Sequence, residues 1–125
     1  MDYQVQHLPK DVIDIIKDFV FFKPKSKEEL EKALNLWRWE KVTALKEYGH
    51  ISNWNTSLIT SMENTFSSVN FGNNFNEDVS NWDVSNVTNM KEMFLNANLF
   101  NKPLNRWEVS NVTNMSGMFL SLIHI

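Results

Sequence analysis

Histidine is the residue type here with the most obvious potential for chemistry, and the sequence contains three: His7, His50 and His124. None of them has a partner at the spacing of a metal-ligand set or a catalytic triad. The chain has no cysteine, which excludes disulfides, thiol chemistry and zinc–thiolate sites. Asp83 and Glu108 could form a row of carboxylates, but no loop around them resembles a calcium site. The residues therefore predict no catalytic site, no metal and no cofactor.

The chain is organised around a nine-residue sequence that recurs. Residues 82–90 read WDVSNVTNM and residues 107–115 read WEVSNVTNM, so the two copies differ only in the length of one acidic side chain. A looser copy, WNTSLITSM, occupies residues 54–62. The period is 25 residues between the last two copies and 28 between the first two, with the three extra residues within 68–74. A unit of this length cannot form a core alone and must bury its apolar residues against its neighbours.

The spacing of apolar residues predicts which positions of the repeat are buried. In the second repeat these are Val84, Val87, Met90, Phe94, Ala97, Phe100 and Leu104. We predict an α+β fold in which each coil has short strands and one helical turn, similar to a leucine-rich repeat. Of 17 asparagines, 16 follow residue 50, and we interpret them as residues that close turns and bond one coil to the next.

The complete repeat supports a family resemblance. The string W-D-V-S-N-V-T-N-M-x-x-M-F-x-x-A-x-x-F-N-x-x-L-x-x-W, over residues 82–107, resembles the BspA-type leucine-rich-repeat surface proteins, also described by a 25-residue mycoplasma-lipoprotein repeat. The resemblance covers residues 51–119. It implies a short right-handed solenoid that serves protein contacts or adhesion at the cell surface, and it implies no active site.

Residues 1–49 are predicted to form an α-helical cap on the solenoid, which occupies 50–119. Pro9 and the apolar face that follows it indicate a helix over 8–20. Ser26 and Glu29 form a capping box that opens a second helix. That helix carries Leu30, Ala33, Leu34 and Trp37 at helical spacing, and Gly49 is expected to end the helical region. Such a cap covers the apolar end that a first repeat otherwise exposes.

A second resemblance concerns residues 8–20. Their opening, Leu-Pro-x-Asp-Val-x-x-x-Ile, is similar to the start of an F-box, the helical module that binds the Skp subunit of a ubiquitin ligase. This resemblance implies an adaptor that binds a Skp-type subunit through residues 8–20 and captures a target through the repeats. The alternative is a helix that only closes the end of the solenoid.

Composition and the two ends of the sequence add further expectations. The chain has 125 residues and a net charge of −3, which predicts one small domain without affinity for nucleic acid. Neither residues 1–7 nor residues 12–22 resemble a signal peptide or a membrane span, so we expect an intracellular location unless the N-terminus is incomplete. Residues 120–125 abandon the repeat pattern, and we interpret them as an artefactual tail on a piece of a longer array.

Together the patterns favour non-catalytic protein–protein interaction. Either a surface or adhesion protein or an intracellular F-box-type adaptor would fit, whereas an enzyme would need ionisable residues that converge on one face. Partner specificity is predicted to reside in charged residues at variable repeat positions. They are Glu63, Glu77, Asp78, Lys91, Glu92, Lys102 and Arg106.

Overall fold

The computed structural model describes residues 8–13 and 21–120. Its named helices are α1 (Lys27–Trp39), α2 (Lys41–Tyr48) and the short α3 (Ser68–Phe71), and a 3-10 turn spans Ile51–Asn53. None of the described helices is long or apolar enough to cross a lipid bilayer.

Two predictions fall largely outside the described residues. The helix expected over 8–20 is described only at its start, where residues 10–13 are helical. Of the aberrant tail expected at 120–125, only Leu120 is described.

The helix start predicted at Ser26 is confirmed, with one of the two hydrogen bonds of a capping box. The side-chain hydroxyl of Ser26 accepts a hydrogen bond from the backbone N–H of Glu29 at 3.1 Å, which satisfies a donor that has no partner inside the helix. The helical region ends after α2 at Gly49, whose φ of 73° is a left-handed conformation that glycine adopts without steric cost. The buried face of α1 is the predicted one: Leu30, Ala33, Leu34 and Trp37.

Aromatic side chains join this N-terminal region to the first repeat. The centroid of the Trp37 ring lies 6.0 Å from that of the Trp54 ring in an edge-to-face arrangement. The centroid of the Phe22 ring lies 5.5 Å from that of Trp54. The backbone N–H of Asn55 donates to the carbonyl of Phe22 at 2.8 Å. These contacts place α1 and the segment before it over the first repeat, where a cap is expected.

The strands predicted for the repeats do not form. Residues 50–119 are all described, and their β-type pairing consists of two isolated parallel bridges, Ser61–Asn89 and Asn89–Asn114. The helical turn predicted for every coil is missing from the second and third repeats. In the first repeat, helix α3 lies within residues 68–74, the segment that contains the three extra residues, and not at the predicted position. The predicted α+β class, a right-handed leucine-rich-repeat-like solenoid of strands and single helical turns, is therefore wrong.

The repeats stack on one another through consecutive tight turns. The backbone N–H groups of Met62 and Phe66 donate to the carbonyls of Asn89 and Met93 in the next repeat, both at 2.8 Å. The N–H of Thr65, which lies between them, instead donates back to the carbonyl of Met62 at 3.2 Å. Because such intervening donors close local turns, the chain cannot extend into a strand although it still pairs with its neighbour.

The apolar positions predicted from the repeat form a core that all three repeats share. Val84, Val87, Met90, Phe94, Ala97 and Phe100 are at most 1% exposed, and Leu104 is half-buried. Equivalent rings contact each other between repeats: Trp54 stacks on Trp82 at 6.2 Å, and Phe94 lies 5.5 Å from Phe66 and 5.7 Å from Phe119. The predicted burial is confirmed for the second repeat although the predicted strands are not, and it is wrong for Val109 and Met115 of the third repeat, which are 36% and 44% exposed.

Asparagine side chains perform both tasks expected of them. The side-chain oxygen of Asn89 accepts from the backbone N–H two residues later at 2.9 Å and so closes a turn. The amide nitrogens of Asn86 and Asn111 donate to the carbonyls of Ser57 and Ser85 in the preceding repeat, both at 2.7 Å. The frequent asparagines therefore hold the turns and join the repeats.

Glu92 adopts a left-handed backbone conformation, in which a Cβ atom approaches the following carbonyl oxygen and which only glycine, asparagine and aspartate adopt readily. Its φ is 55°, and the equivalent residues are Asn64 (φ 59°) and Gly117 (φ 66°). We expect Glu92→Asn to raise the free energy of unfolding by about 1 kcal/mol in urea denaturation, because asparagine tolerates this conformation better. Lys91→Asn is the matched control, since Lys91 has no positive φ. An equal increase in the free energy of unfolding of Glu92→Asn and Lys91→Asn would show that the left-handed conformation is not the cause.

Candidate functional site

The seven charged residues predicted to contact a partner lie in three places. Glu77 packs against α1, three others form a mixed-charge cluster, and the rest lie on turns where the first two repeats stack. The cluster consists of Asp78, Lys102 and Arg106, and the residues on the turns are Glu63, Lys91 and Glu92.

Glu77 joins the first repeat to the N-terminal helices. Its carboxylate oxygen Oε2 accepts hydrogen bonds from Trp37 Nε1 at 3.0 Å and from Lys41 Nζ at 3.1 Å. Burial opposes ionisation of this carboxyl group, but the two hydrogen bonds and the charges of Lys41 and His50 outweigh burial and lower the pKa of Glu77. The ionised form of Glu77 is therefore a structural contact between the two parts of the chain.

The lowered pKa of Glu77 predicts a specific dependence of stability on pH. Its contribution is fully present above the ordinary carboxyl pKa of 4.5 and is lost as the pH falls through the lower pKa of the folded state. We expect Glu77→Gln to lose less unfolding free energy than the wild type on acidification, because glutamine keeps an acceptor but has no charge to protonate. Urea denaturation at a series of acidic pH values measures the difference.

The contact with Lys41 supplies a direct control for this prediction. We expect Lys41→Met to raise the pKa of Glu77, because the substitution removes one hydrogen bond and one positive charge. NMR titration of the Glu77 carboxyl group in both proteins measures that change. An unchanged pKa would show that the ion pair does not act on Glu77 in solution.

Asp78, Lys102 and Arg106 form the mixed-charge cluster. Hydrogen bonds from Ser80 lower the pKa of Asp78, and the positive charges of Lys102 and Arg106 lower it further. Burial raises this pKa but does not outweigh them. The backbone N–H of Ser80 lies 3.0 Å from Asp78 Oδ1, and Arg106 Nη1 donates to Asn81 Oδ1 at 3.0 Å. The structure therefore brings three of the seven predicted residues together.

Glu63, Lys91 and Glu92 do not extend this cluster. Glu63 Oε1 accepts from Asn89 Nδ2 at 3.1 Å, Lys91 is exposed, and Glu92 is half-buried beside Gly117. Within the part of the chain that the structure describes, no hydrogen bond or ion pair links these three to the Asp78 cluster. The predicted residues consequently form a dispersed charged surface and not a single site.

A groove of about 300 Å³ lies beside Glu77, between the end of α1 and the segment that follows α3. Trp37, Arg38, Trp39 and Lys41 line one side, and Phe71 and residues 74–77 line the other. We call it the Trp39 groove.

The exposed ring of Trp39 is the most unusual feature of the groove. Its side chain is 66% exposed, and the guanidinium carbon of Arg38 lies 4.3 Å from the ring centroid. Arg38 is itself held in place, because its Nη1 donates to the carbonyl of Asn70 at 2.7 Å. On α2, Val42 and Leu45 are 70% and 42% exposed. The groove thus combines an exposed aromatic ring with a fixed cation, and α2, which follows α1 in the chain, carries two exposed apolar residues.

The spacing of two tryptophans in the sequence indicates a surface aromatic residue at this groove, which the pattern of charged residues does not indicate. Trp37 and Trp39 are two residues apart, and residues at that spacing on a helix do not share a face. Trp37 is 2% exposed and contributes to the core, so Trp39 must point away from it. Two tryptophans at this spacing at the end of an amphipathic helix indicate that one of them is at the surface.

Metal binding finds no support in the described ranges, 8–13 and 21–120, where no three histidine or acidic side chains lie close enough to hold an ion. Comparison with known proteins gives a match to a family model described as "Mycoplasma protein of unknown function, DUF285", over residues 42–124. The matched segment is well over half of the chain. The chain belongs to the DUF285 family. No curated protein and no solved structure matches it.

Membership of DUF285 agrees with the mycoplasma repeat expected from the sequence and gives no activity. The DUF285 match begins within α2 and includes all three repeats. Of the residues lining the Trp39 groove, Phe71 and residues 74–77 lie inside the match, whereas Trp37, Arg38 and Trp39 precede it. The groove is therefore formed jointly by the DUF285 repeats and by a helix outside the matched segment.

Proposed function

We propose that this DUF285 protein is a non-catalytic protein-binding module whose Trp39 groove contacts a protein partner. The observation that carries the proposal is the 66% exposed ring of Trp39 with the Arg38 guanidinium 4.3 Å from its centre. Tryptophan and arginine are the residues most enriched among those that dominate binding energy at protein interfaces. The Arg38 guanidinium lies against the ring and is itself held by its bond to the Asn70 carbonyl, which reduces the conformational entropy that would be lost on binding.

The surroundings of the groove also support a protein partner over a small molecule. A volume of about 300 Å³ is at the lower limit of ligand pockets. Val42 and Leu45 provide apolar surface on α2, and the Asp78 cluster provides charges of both signs on the repeats. An apolar centre with a polar, charged surround is the usual anatomy of a protein interface.

The resemblance of the repeat to BspA-type surface proteins supports adhesion as the setting for this binding. That proposal concerns the sequence motif and the protein contacts made by its exposed positions, including the seven charged residues. It does not require the strand-based fold, because stacked turns also present equivalent positions of successive repeats side by side.

An F-box-type adaptor is the second candidate function, and one observation favours it. Leu8 and Val12, within the F-box-like motif, are 41% and 37% exposed and would be available to a Skp-type subunit. In that case residues 8–20 would bind the adaptor partner and the Trp39 groove would bind the target.

The experiment compares proteins retained from cell lysates by the immobilised full chain and by two variants. Trp39→Ala removes the proposed anchor, and Val69→Ala is the control, because Val69 is 77% exposed on α3. We expect at least one partner to bind the wild type and Val69→Ala, and to be reduced more than tenfold by Trp39→Ala, which corresponds to more than about 1.4 kcal/mol. A retained set that does not depend on Trp39 would contradict the proposal.

A third variant, Leu8→Ala with Val12→Ala, separates the two candidates. Loss of a Skp-type subunit in this variant alone would establish the adaptor function. Charge reversal at Asp78, Lys102 and Arg106 tests whether the cluster contributes, and we expect it to weaken the Trp39-dependent partner without affecting the fold.

A further inference from the structure

The first repeat has a threonine at a buried position where the other two repeats have methionine. Thr65, Met93 and Met118 are equivalent, because each lies three residues after the methionine that ends the nine-residue sequence. Their side chains are 2%, 0% and 6% exposed. Within the part of the chain that the structure describes, the hydroxyl of Thr65 is buried without a hydrogen-bond partner. A buried hydroxyl of this kind costs stability, so packing alone does not account for the threonine.

Thr65 lines a cavity of about 250 Å³ between α1 and the first repeat, which we call the Thr65 cavity. Asn70 and Phe71, which also line it, belong to α3 and so to the segment 68–74 that contains the three extra residues of this repeat. Two departures from the repeat pattern, the threonine and the extra segment, therefore meet at one cavity. The remaining lining residues come from α1 and are Glu31, Leu34 and Asn35.

The polar groups of the Thr65 cavity are suited to a neutral ligand that carries hydroxyl groups. The hydroxyl of Thr65 and the side-chain amides of Asn35 and Asn70 each have donor and acceptor capacity, as a ligand hydroxyl does. Asn70 is held in place, because its Nδ2 donates to the carbonyl of Asn64 at 2.7 Å. The charge of Glu31 is balanced by Lys27, whose Nζ lies 3.9 Å from the Glu31 carboxylate, so the cavity favours neither a cation nor an anion.

Apolar side chains and the size of the cavity narrow the class of ligand. Leu34 and Phe71 are 3% and 8% exposed and provide apolar walls. A purely apolar ligand would contact these walls but would leave the Thr65 hydroxyl unpaired, which is unfavourable. The volume of about 250 Å³ is below the usual range for drug-sized ligands. A small ring with hydroxyl groups on its edge and C–H groups on its face satisfies all three conditions.

We propose that the Thr65 cavity binds a single neutral sugar ring, either as a free monosaccharide or as the terminal residue of a glycan. One sugar hydroxyl would bond to Thr65 Oγ1, others would bond to the amides of Asn35 and Asn70, and the C–H face would pack on Phe71. Phe71 also lines the Trp39 groove, but the proposal does not depend on protein binding by that groove.

The first experiment titrates the isotope-labelled full chain with glucose, galactose, mannose and N-acetylglucosamine, and with the methyl glycoside of each. We expect at least one sugar to cause saturable shifts of the NMR signals of the Asn35 and Asn70 side-chain amides. Binding of a methyl glycoside would identify a glycan terminus as the ligand, and binding of the free sugar alone would identify a free monosaccharide. Absence of saturable shifts up to about 50 mM of every sugar would overturn the proposal, since the cavity would then hold only water.

Two threonine variants test the role of the buried hydroxyl. Thr65→Val keeps the shape of the side chain, so we expect it to weaken sugar binding by about tenfold or more without lowering the free energy of unfolding. Thr56→Val is the matched control, because Thr56 is fully buried and its hydroxyl donates to the carbonyl of Asp83 at 2.9 Å. We expect Thr56→Val to lower the free energy of unfolding and to leave sugar binding unchanged. Equal destabilisation by the two substitutions would overturn the proposal.

A second pair of variants on α1 does not disturb the core. Asn35 and Lys32 are both exposed, but Asn35 lines the Thr65 cavity and Lys32 does not. We expect Asn35→Ala to weaken sugar binding and Lys32→Ala to leave it unchanged. Sugar binding that is the same in the wild type, Thr65→Val and Asn35→Ala would overturn the proposal, because the sugar would then bind elsewhere.

Discussion

Phe94→Ala is expected to reduce the free energy of unfolding by about 3–5 kcal/mol. Phe94 is fully buried and lies in the second repeat, where its ring contacts rings from all three repeats. The centroid distances are 5.5 Å to Phe66, 4.3 Å to Phe100, 6.2 Å to Trp107 and 5.7 Å to Phe119. Because domains of this size are typically stable by about 5–15 kcal/mol, the loss would bring the protein close to unfolding. Urea denaturation followed by tryptophan fluorescence measures it.

Phe119→Ala is the matched control for this prediction. Phe119 occupies the same position in the third repeat but is only half-buried. Its removal leaves less of a cavity, so we expect a loss below about 2 kcal/mol. Burial alone distinguishes Phe94 from Phe119. If both alanine variants lost the same free energy of unfolding, the third repeat would not be packed on the second as described.

The sequence predicted the buried positions of the second repeat because burial there depends on side-chain type at a fixed period. Val84, Val87 and Met90 are all buried, as expected, whereas Val109 and Met115, the equivalents of Val84 and Met90 in the third repeat, are partly exposed. Burial requires only that these side chains point inwards. Several backbone conformations satisfy that requirement, so a correct core did not determine a correct secondary structure.

The failed strand prediction has a local cause in the backbone. Glu92 and Asn96 both have positive φ values, 55° and 57°, and the N–H of Leu95 donates back to Glu92 at 3.2 Å. A left-handed glutamate is uncommon, so nothing in its identity indicated a turn. At the equivalent position of the third repeat, however, Gly117 was visible in the sequence as a residue suited to this conformation. Reading the three aligned positions together, as Asn, Glu and Gly, would have favoured a turn.

The candidate site was only partly predictable, because charge at variable positions does not determine proximity. Asp78, Lys102 and Arg106 were predicted individually, and their grouping depends on how the first and second repeats stack. Glu77 was predicted as a partner contact, but a bond from Trp37, 40 residues earlier, makes it part of the fold. Long-range contacts of this kind involve single pairs that leave no periodic pattern in one sequence.

Trp54→Ala is expected to cost about 3–5 kcal/mol and to separate the unfolding of the N-terminal helices from that of the repeats. Trp54 is 1% exposed and is the ring through which the two regions meet. Phe22, Trp37 and Tyr48 contact it from the N-terminal side at 5.5–6.0 Å, and Trp82 stacks on it from the second repeat at 6.2 Å. Alanine removes all four contacts and leaves a cavity at the junction.

Loss of cooperativity distinguishes this variant from one with a simple packing defect. Two probes follow the urea transitions: far-UV circular dichroism, which reports on α1 and α2, and the NMR signals of the Trp82 and Trp107 indole N–H groups, which report on the repeats. The two transitions should coincide in the wild type and diverge in Trp54→Ala. Trp39→Ala makes the same chemical change at a 66% exposed ring, so we expect a loss of about 1 kcal/mol or less with coincident transitions. If both substitutions cost the same, Trp54 does not join the helices to the repeats, and α1 is not the cap of the first repeat.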